Sequence, residues 1–349
     1  MYCQYLFHKL LFTEKCSVIW VKHFLYCTYR SHTRYLLPMV LGFSLFGKAE
    51  PTDNQEETKT SVKQELVEDE VITVLKHAKL REIKQELYEA EQFYHRAIGL
   101  LNIYEQNKSW DKNRLIEARV YIYDSLANLA LARGEFDKAE KLYKETLRGS
   151  FQQGMSKDHD AVVEISLKLA MIYAAQKRNE EANDGYKFCI KTQEEKIKKM
   201  KEVDDNSAAL LGMSLDAYAR FLMVQNRNEE AKSSLEKSLD VATRIYGESH
   251  PQVAVLLNDI ATVGSQMQDY NFAKRNLEKA VKIAETVESP DLPTFYFNLG
   301  AVYERQGELT EASGAYKKAL TAAKKTDDKT VKKKAKDALD SLKNLPTKK

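Results

Sequence analysis

One spacing, repeated six times, limits what this chain can fold into more than any other feature of its sequence. A small residue is followed twelve positions later by alanine, and four beyond that by tyrosine or leucine. The small residues are Ala78, Ala127, Ala170, Ala219, Ala261 and Gly300, and the alanines are Ala90, Ala139, Ala182, Ala231, Ala273 and Ala312. The large residues are Tyr94, Tyr143, Tyr186, Leu235, Leu277 and Tyr316; three positions further on stand Ala97, Thr146, Cys189, Ser238, Ala280 and Ala319. Self-similarity at this period predicts a repeat architecture of helical hairpins, in which two helices approach so closely that only Gly or Ala fits at the crossing. The large side chain then fills the gap to the next unit.

This is the tetratricopeptide pattern, and it predicts an all-α, superhelical solenoid of about six hairpins over residues 71–329. Successive alanines lie 39 to 49 residues apart (312 minus 273, 139 minus 90), longer than the roughly 34-residue standard repeat, so helices or connections must be extended. Tyr123, Leu126, Ala127 and Ala130 form one stripe at helical spacing, and Gly134 ends that helix in a turn. Asn226 and Gly307 occupy the same turn position in two other repeats. Each hairpin leaves an apolar face uncovered, so neighbours must stack. The segment 330–349 has Val331, Ala335, Ala338, Leu339 and Leu342 on one side and lysines on the other, which predicts a capping helix and basic tail. With only 13 glycines and 6 prolines in 349 residues, composition favours long helices over turn-rich sheets.

The N-terminus differs from the rest. Residues 1–48 carry Lys9, Lys15, Lys22, Arg30, Arg34 and Lys48 against the single acid Glu14, among many Tyr, Phe and Leu. That composition resembles a mitochondrial presequence; a secretory signal would keep its apolar core uninterrupted. The uncharged run Leu36–Phe46 is about half the length a bilayer span needs and contains Pro38 and Gly42. It suits a peripheral anchor. The alternative expectation is a mis-assigned start, with Met39 or an absent exon in place of these first residues. From residue 49 to 70 the charge inverts, with Glu50, Asp53, Glu56, Glu57, Glu65, Glu68, Asp69 and Glu70 in a polar stretch that reads as a solvated linker.

Catalytic, cofactor and metal motifs are not found in the sequence, and the expectation is a protein without enzymatic activity. There is no phosphate-cradling glycine loop, no His-Glu-x-x-His and no paired-cysteine zinc spacing. Gly42-Phe43-Ser44-Leu45-Phe46 begins like a nucleophile elbow but lacks its closing glycine. Asp158, His159 and Asp160 read as loop and helix-capping residues rather than metal ligands, His250 as a turn residue before Pro251, and Cys189 as a small buried hydrophobe. A net charge of +3 gives no basic footprint for nucleic acid. Three of the four cysteines precede residue 28, so no disulfide framework follows.

If the register is right, Tyr121, Asp124, Asn128, Leu167, Met171, Met213, Asp216, Arg220 and Met223 project from the first helices of the hairpins into a groove. Such a mixed, methionine-rich face suits a protein segment better than a small metabolite. The competing expectation is that the methionines pack inside the repeats. A chaperone-type clamp for acidic tails would need Lys, Arg and Asn there, whereas the second and third repeats offer Asp124, Asn128, Glu164 and Leu167.

Several runs go beyond what the repeat requires: Tyr123-Asp124-Ser125-Leu126-Ala127-Asn128-Leu129-Ala130, the stretch from Glu164 to Gln176, Gly185 to Ile190, and Gly212 to Arg220. Together they resemble the mitochondrial tetratricopeptide repeat protein 19 family, over roughly residues 71–325. The resemblance implies a non-enzymatic protein of the inner mitochondrial membrane. It further implies support of respiratory complex III, by helping to clear N-terminal fragments of the Rieske iron–sulfur subunit. A kinesin-light-chain-like cytosolic cargo adaptor is the alternative, suggested by the long repeats and the Gly247–Pro251 linker; it would be expected to bring a heptad coiled coil, and none precedes Val71.

Overall fold

Six times, a residue in the left-handed backbone region stands seven positions after the small residue of the repeat. These are Gln85, Gly134, Lys177, Asn226, Gln268 and Gly307, with φ between 58° and 80°. One position later, a backbone N–H donates to the carbonyl five residues back, from Glu86, Glu135, Arg178, Arg227, Asp269 and Glu308, at 2.8 to 2.9 Å. This closure satisfies the last carbonyls of the first helix and reverses the chain into the second. The turn therefore belongs to every hairpin, including the three where the sequence shows Gln or Lys instead of Gly or Asn.

The structure, a computed structural model, describes residues 70–343. The proposed targeting region 1–48 with its apolar run Leu36–Phe46, the acidic linker up to residue 69, and the tail 344–349 lie outside the described residues. The described residues contain thirteen helices and no strand. They divide into two compact units, one ending at Ala182 and the other beginning at Asn183.

The first unit holds α1 (70–83), α2 (Leu87–Gln106), α3 (Lys112–Arg133), α4 (Phe136–Gln152), α5 (Asp160–Ala175) and the start of α6 (Asn179–Lys199). Ala78, Ala90, Ala127 and Ala139 are wholly buried at the helix crossings, and so are Tyr94 and Tyr143. Around Tyr94 the core takes in Val74, Leu101, Ile122 and Leu126. Burying a side chain of this size contributes about 1.5–3 kcal/mol. Both tyrosine hydroxyls find partners: Tyr94 donates to Glu82 Oε1 at 2.7 Å and Tyr143 to Asn128 Oδ1 at 2.7 Å. Asp111 caps α3 by accepting from the amides of Asn113 and Arg114. His159 caps α5 by accepting from that of Ala161. The polar run at 158–160 thus begins a helix, as its sequence predicts.

The second unit continues with the rest of α6, then α7 (Asp205–Val224), α8 (Asn228–Tyr246), α9 (Pro251–Gln266), α10 (Tyr270–Thr286), α11 (Leu292–Gln306), α12 (Leu309–Lys325) and α13 (Lys329–Lys343). Pro251 opens α9 where its missing N–H costs nothing, and His250 Nδ1 accepts from the amide of Gln252 at 3.1 Å. Leu235 and Leu277 take the buried large position, while Tyr316 donates its hydroxyl to Glu304 Oε2 at 2.6 Å. Tyr186, Tyr218 and Phe221 form an aromatic cluster with ring centroids 5.5 to 6.3 Å apart. Cys189 is fully buried, and that burial pushes its thiol up to about 12, out of the reactive range. α7 is long and apolar enough to cross a membrane by length and composition, yet 61% of its apolar window is buried inside the protein, as in a core helix. Val331 and Ala335 of α13 are buried against the last hairpin, and Asp328 caps its start.

Candidate functional site

The residues expected to line a groove fall into two sets, one in each unit. In the first unit α3 carries Tyr121, Asp124 and Asn128, and α5 carries Leu167 and Met171. The two α5 residues do not project into a groove: Leu167 is wholly buried and Met171 is 3% exposed. The competing expectation, methionine inside the repeat, holds at this position. The reason is local, since α5 is apolar on nearly every face, with Val162, Val163, Ile165, Leu169 and Ile172 also buried. Tyr121 is half-buried and packs against the core of the unit.

What the first unit offers instead is a polar network across α3, α4 and α5. Asn128 Nδ2 donates to Asp124 Oδ2 at 2.9 Å while its carbonyl oxygen accepts from Tyr143. Lys168, only 5% exposed, pairs with Glu164 at 2.9 Å and lies 5.6 Å from the Tyr143 ring centroid. Burial alone would lower the Lys168 ammonium; Glu164 and Asp124 outweigh it and hold the pKa above the usual lysine value. Asp124 is raised by burial, partly countered by Lys168. A buried lysine on an otherwise apolar helix was missed from the sequence. Its signal was Glu164 four residues earlier, the i, i+4 order that favours an ion pair.

In the second unit Met213, Asp216, Arg220 and Met223 are half-buried along one face of α7. Arg220 Nε donates to Asp216 Oδ1 at 2.9 Å, and its guanidinium also pairs with Asp259 of α9. Beside Asp259, Asn258 Oδ1 accepts from Asn298 Nδ2 of α11 at 2.8 Å. Burial raises the Asp259 carboxyl to about 6 although Arg220 draws it down. The outcome is a polar ladder over three successive first helices, α7, α9 and α11. The first rung was legible in the sequence as Asp216 and Arg220, four residues apart. The upper rungs, Asp259 and Asn298, were not singled out, although both stand two residues before their repeat's small residue, where Lys168 also stands. The carboxylates and amides of this ladder are largely paired with one another, and the half-buried thioethers of Met213 and Met223 lie beside them on α7.

Comparison with known proteins agrees with the repeat. Tetratricopeptide repeat family models match residues 125–184, 210–286 and 266–325. Among solved structures, the apo form of RapI superposes with a TM-score of 0.63 at 17% identity, covering 90% of this chain and 80% of that one. BtubC from P. vanneervenii gives 0.53 at 20% identity, over 75% of this chain and 92% of that one. At these identities the likeness shows the fold alone. Sequence relatives say more: the human protein named tetratricopeptide repeat protein 19, mitochondrial, is 37% identical over 309 residues, covering 84% of this chain and 78% of its own. The mouse protein of that name is 36% identical over 85% of this chain and 80% of its own. A Drosophila melanogaster homolog is 24% identical over 80% of this chain and 74% of its own. With its six hairpins and this degree of identity to the mammalian proteins, the chain belongs to the tetratricopeptide repeat protein 19 family.

Proposed function

We propose that this chain is a non-enzymatic, protein-binding scaffold of mitochondria, held at the inner membrane, that supports respiratory complex III by helping to clear N-terminal fragments of its Rieske iron–sulfur subunit. Kinship with relatives named mitochondrial supports the location, together with the basic, acid-poor segment 1–48. The observation that carries the binding role is the α7 face, where Met213 and Met223 flank the Asp216–Arg220 pair, and where Asp259, Asn258 and Asn298 extend the polar rungs. Asp124 and Asn128 make a smaller polar pair of the same kind in the first unit. A partner segment laid along such a face would gain apolar contact from the thioethers and directional hydrogen bonds from the amides.

The test is recovery of complex III subunits with the tagged chain from mitochondrial extracts. The variant Met213→Ala/Met223→Ala removes apolar contact without unpairing any charge, so the fold should persist while complex III recovery falls by about tenfold or more. Full recovery by the variant would reject the α7 face, and failure of the unmodified chain to recover complex III would reject the complex III role. Targeting is read separately from the mature N-terminus, expected between about Phe43 and Val71.

A further inference from the structure

Among the described residues, a basic surplus lies at the end of the second unit. Between residues 317 and 343 there are ten lysines, four aspartates and no arginine, a local excess of six positive charges in a protein whose net charge is +3. Lys329, Lys332, Lys333 and Lys336 recur at helical spacing, so they share one face of α13; all four are exposed and make no ion pair among the described residues. On the other side, Val331 and Ala335 are buried at 6% and 0% exposure. The cover does not continue: Ala338, Leu339 and Leu342, in the C-terminal half of the helix, are only half-buried.

We propose that this end of the second unit, with α13 outermost, seats on an anionic lipid bilayer surface. A helix with lysines on one face and incompletely covered leucines beside them matches the chemistry of an interfacial segment. The ammonium groups reach headgroup phosphates while Leu339 and Leu342 meet the acyl boundary. The absence of arginine argues for a diffuse field of negative charge over fixed, forked pairing with carboxylates on a protein. A run of several lysines at this density is also what draws a protein to an acidic leaflet, at about 1 kcal/mol per lysine, or roughly fivefold in partition. This deepens the membrane association proposed above and is independent of complex III.

The experiment is co-sedimentation of the full chain with phosphatidylcholine vesicles, with and without a minority of phosphatidylglycerol. The unmodified protein should bind the anionic vesicles more tightly than the neutral ones, and added salt should release it. Lys332→Gln/Lys333→Gln/Lys336→Gln should weaken anionic binding on the order of 100-fold. The control Lys191→Gln/Lys198→Gln/Lys199→Gln, which removes exposed lysines of α6, should bind as the unmodified protein does. If the triple variant lost helicity, Lys333→Gln alone, expected to weaken binding about fivefold, would decide. Equal binding by the α13 variant, an equal loss in the α6 control, or capture of polyglutamate without vesicle binding would each overturn the proposal.

Discussion

Gly300 lies against the face of the Tyr316 ring: a Cβ built on Gly300 would stand 2.7 Å from both Cδ1 and Cε1 of that ring. The ring cannot swing away cheaply, because it is 1% exposed and its hydroxyl is tied to Glu304. In a helix interior Gly→Ala ordinarily stabilises by about 0.5–1 kcal/mol. Here overpacking of about 1–3 kcal/mol should win, so Gly300→Ala lowers the melting temperature. The first three repeats match alanine with tyrosine (Ala78 with Tyr94, Ala127 with Tyr143, Ala170 with Tyr186), so the penalty comes from the placement of this ring against Gly300, whereas the fourth and fifth repeats match Ala219 and Ala261 with leucine. Gly300→Ala/Tyr316→Leu should therefore recover part of the loss, and strictly additive effects in the double-mutant cycle would mean that the close approach has no energetic weight.

The six left-handed turn residues make a second contrast. Gln85, Lys177 and Gln268 hold φ of 61° to 63° with a Cβ, a conformation that costs roughly 1–2 kcal/mol in a non-glycine residue. Glycine removes that strain but adds chain entropy when unfolded. Gln268→Gly should thus raise stability by about 0.5–1 kcal/mol, while Gly307→Val should lower it by at least about 1 kcal/mol. Thermal melts of both variants check the pair of signs.

That contrast marks where the sequence was readable. Positions fixed by packing, such as Ala90, Tyr143 or Ala273, were legible because only small or large side chains fit there. The turns at Gln85, Lys177 and Gln268 were hidden, since their conformation is imposed by the hairpin and not by their own chemistry; only the constant offset of seven from the small residue gives them away. Leu167 and Met171 failed as groove residues for a related reason. The first helices do not all share one exposed face, because α5 is apolar nearly all round and is buried accordingly. The ladder through Asp259 and Asn298 needs residues brought together from three helices, which no single-segment pattern contains.

Glu91 of α2 is 7% exposed and is gripped by two cations from the next hairpin, Arg133 at 2.7 Å and Lys138. Burial by itself would raise its carboxyl, but the hydrogen bonds from Arg133 and Lys138 prevail and hold it at about 2. Its folded pKa is depressed, so its contribution is complete above the unfolded value near 4.3 and is lost as the pH falls towards 2. Glu91→Gln should cost about 2 kcal/mol at pH 7, allowing for the exposure of both cations to water. The difference from the unmodified protein should shrink steadily in urea titrations below about pH 4. A difference that stays constant down to pH 2 would mean that the ion pairs contribute nothing.

Asp259 behaves in the opposite sense. Its carboxyl is raised to about 6 by burial, against Arg220, which lowers it, while an unfolded aspartate titrates near 3.9. The folded state therefore binds this proton more tightly than the unfolded state. The stability it adds is complete below about pH 4 and is lost as the pH rises through 6. Asp259→Asn keeps the shape of the protonated acid without titrating, so at pH 7 it should be at least as stable as the unmodified protein. It should also lack the component of stability that the unmodified protein gains between pH 7 and pH 4. Arg220→Ala should do the reverse, costing about 3–5 kcal/mol at pH 7, because it leaves a buried carboxylate without its cation, and less near pH 4, where Asp259 takes up a proton. Urea titrations of the three proteins at pH 7 and pH 4 separate these outcomes. If Arg220→Ala cost as much at pH 4 as at pH 7, the ladder would be held by packing and not by the Arg220–Asp259 charge pair.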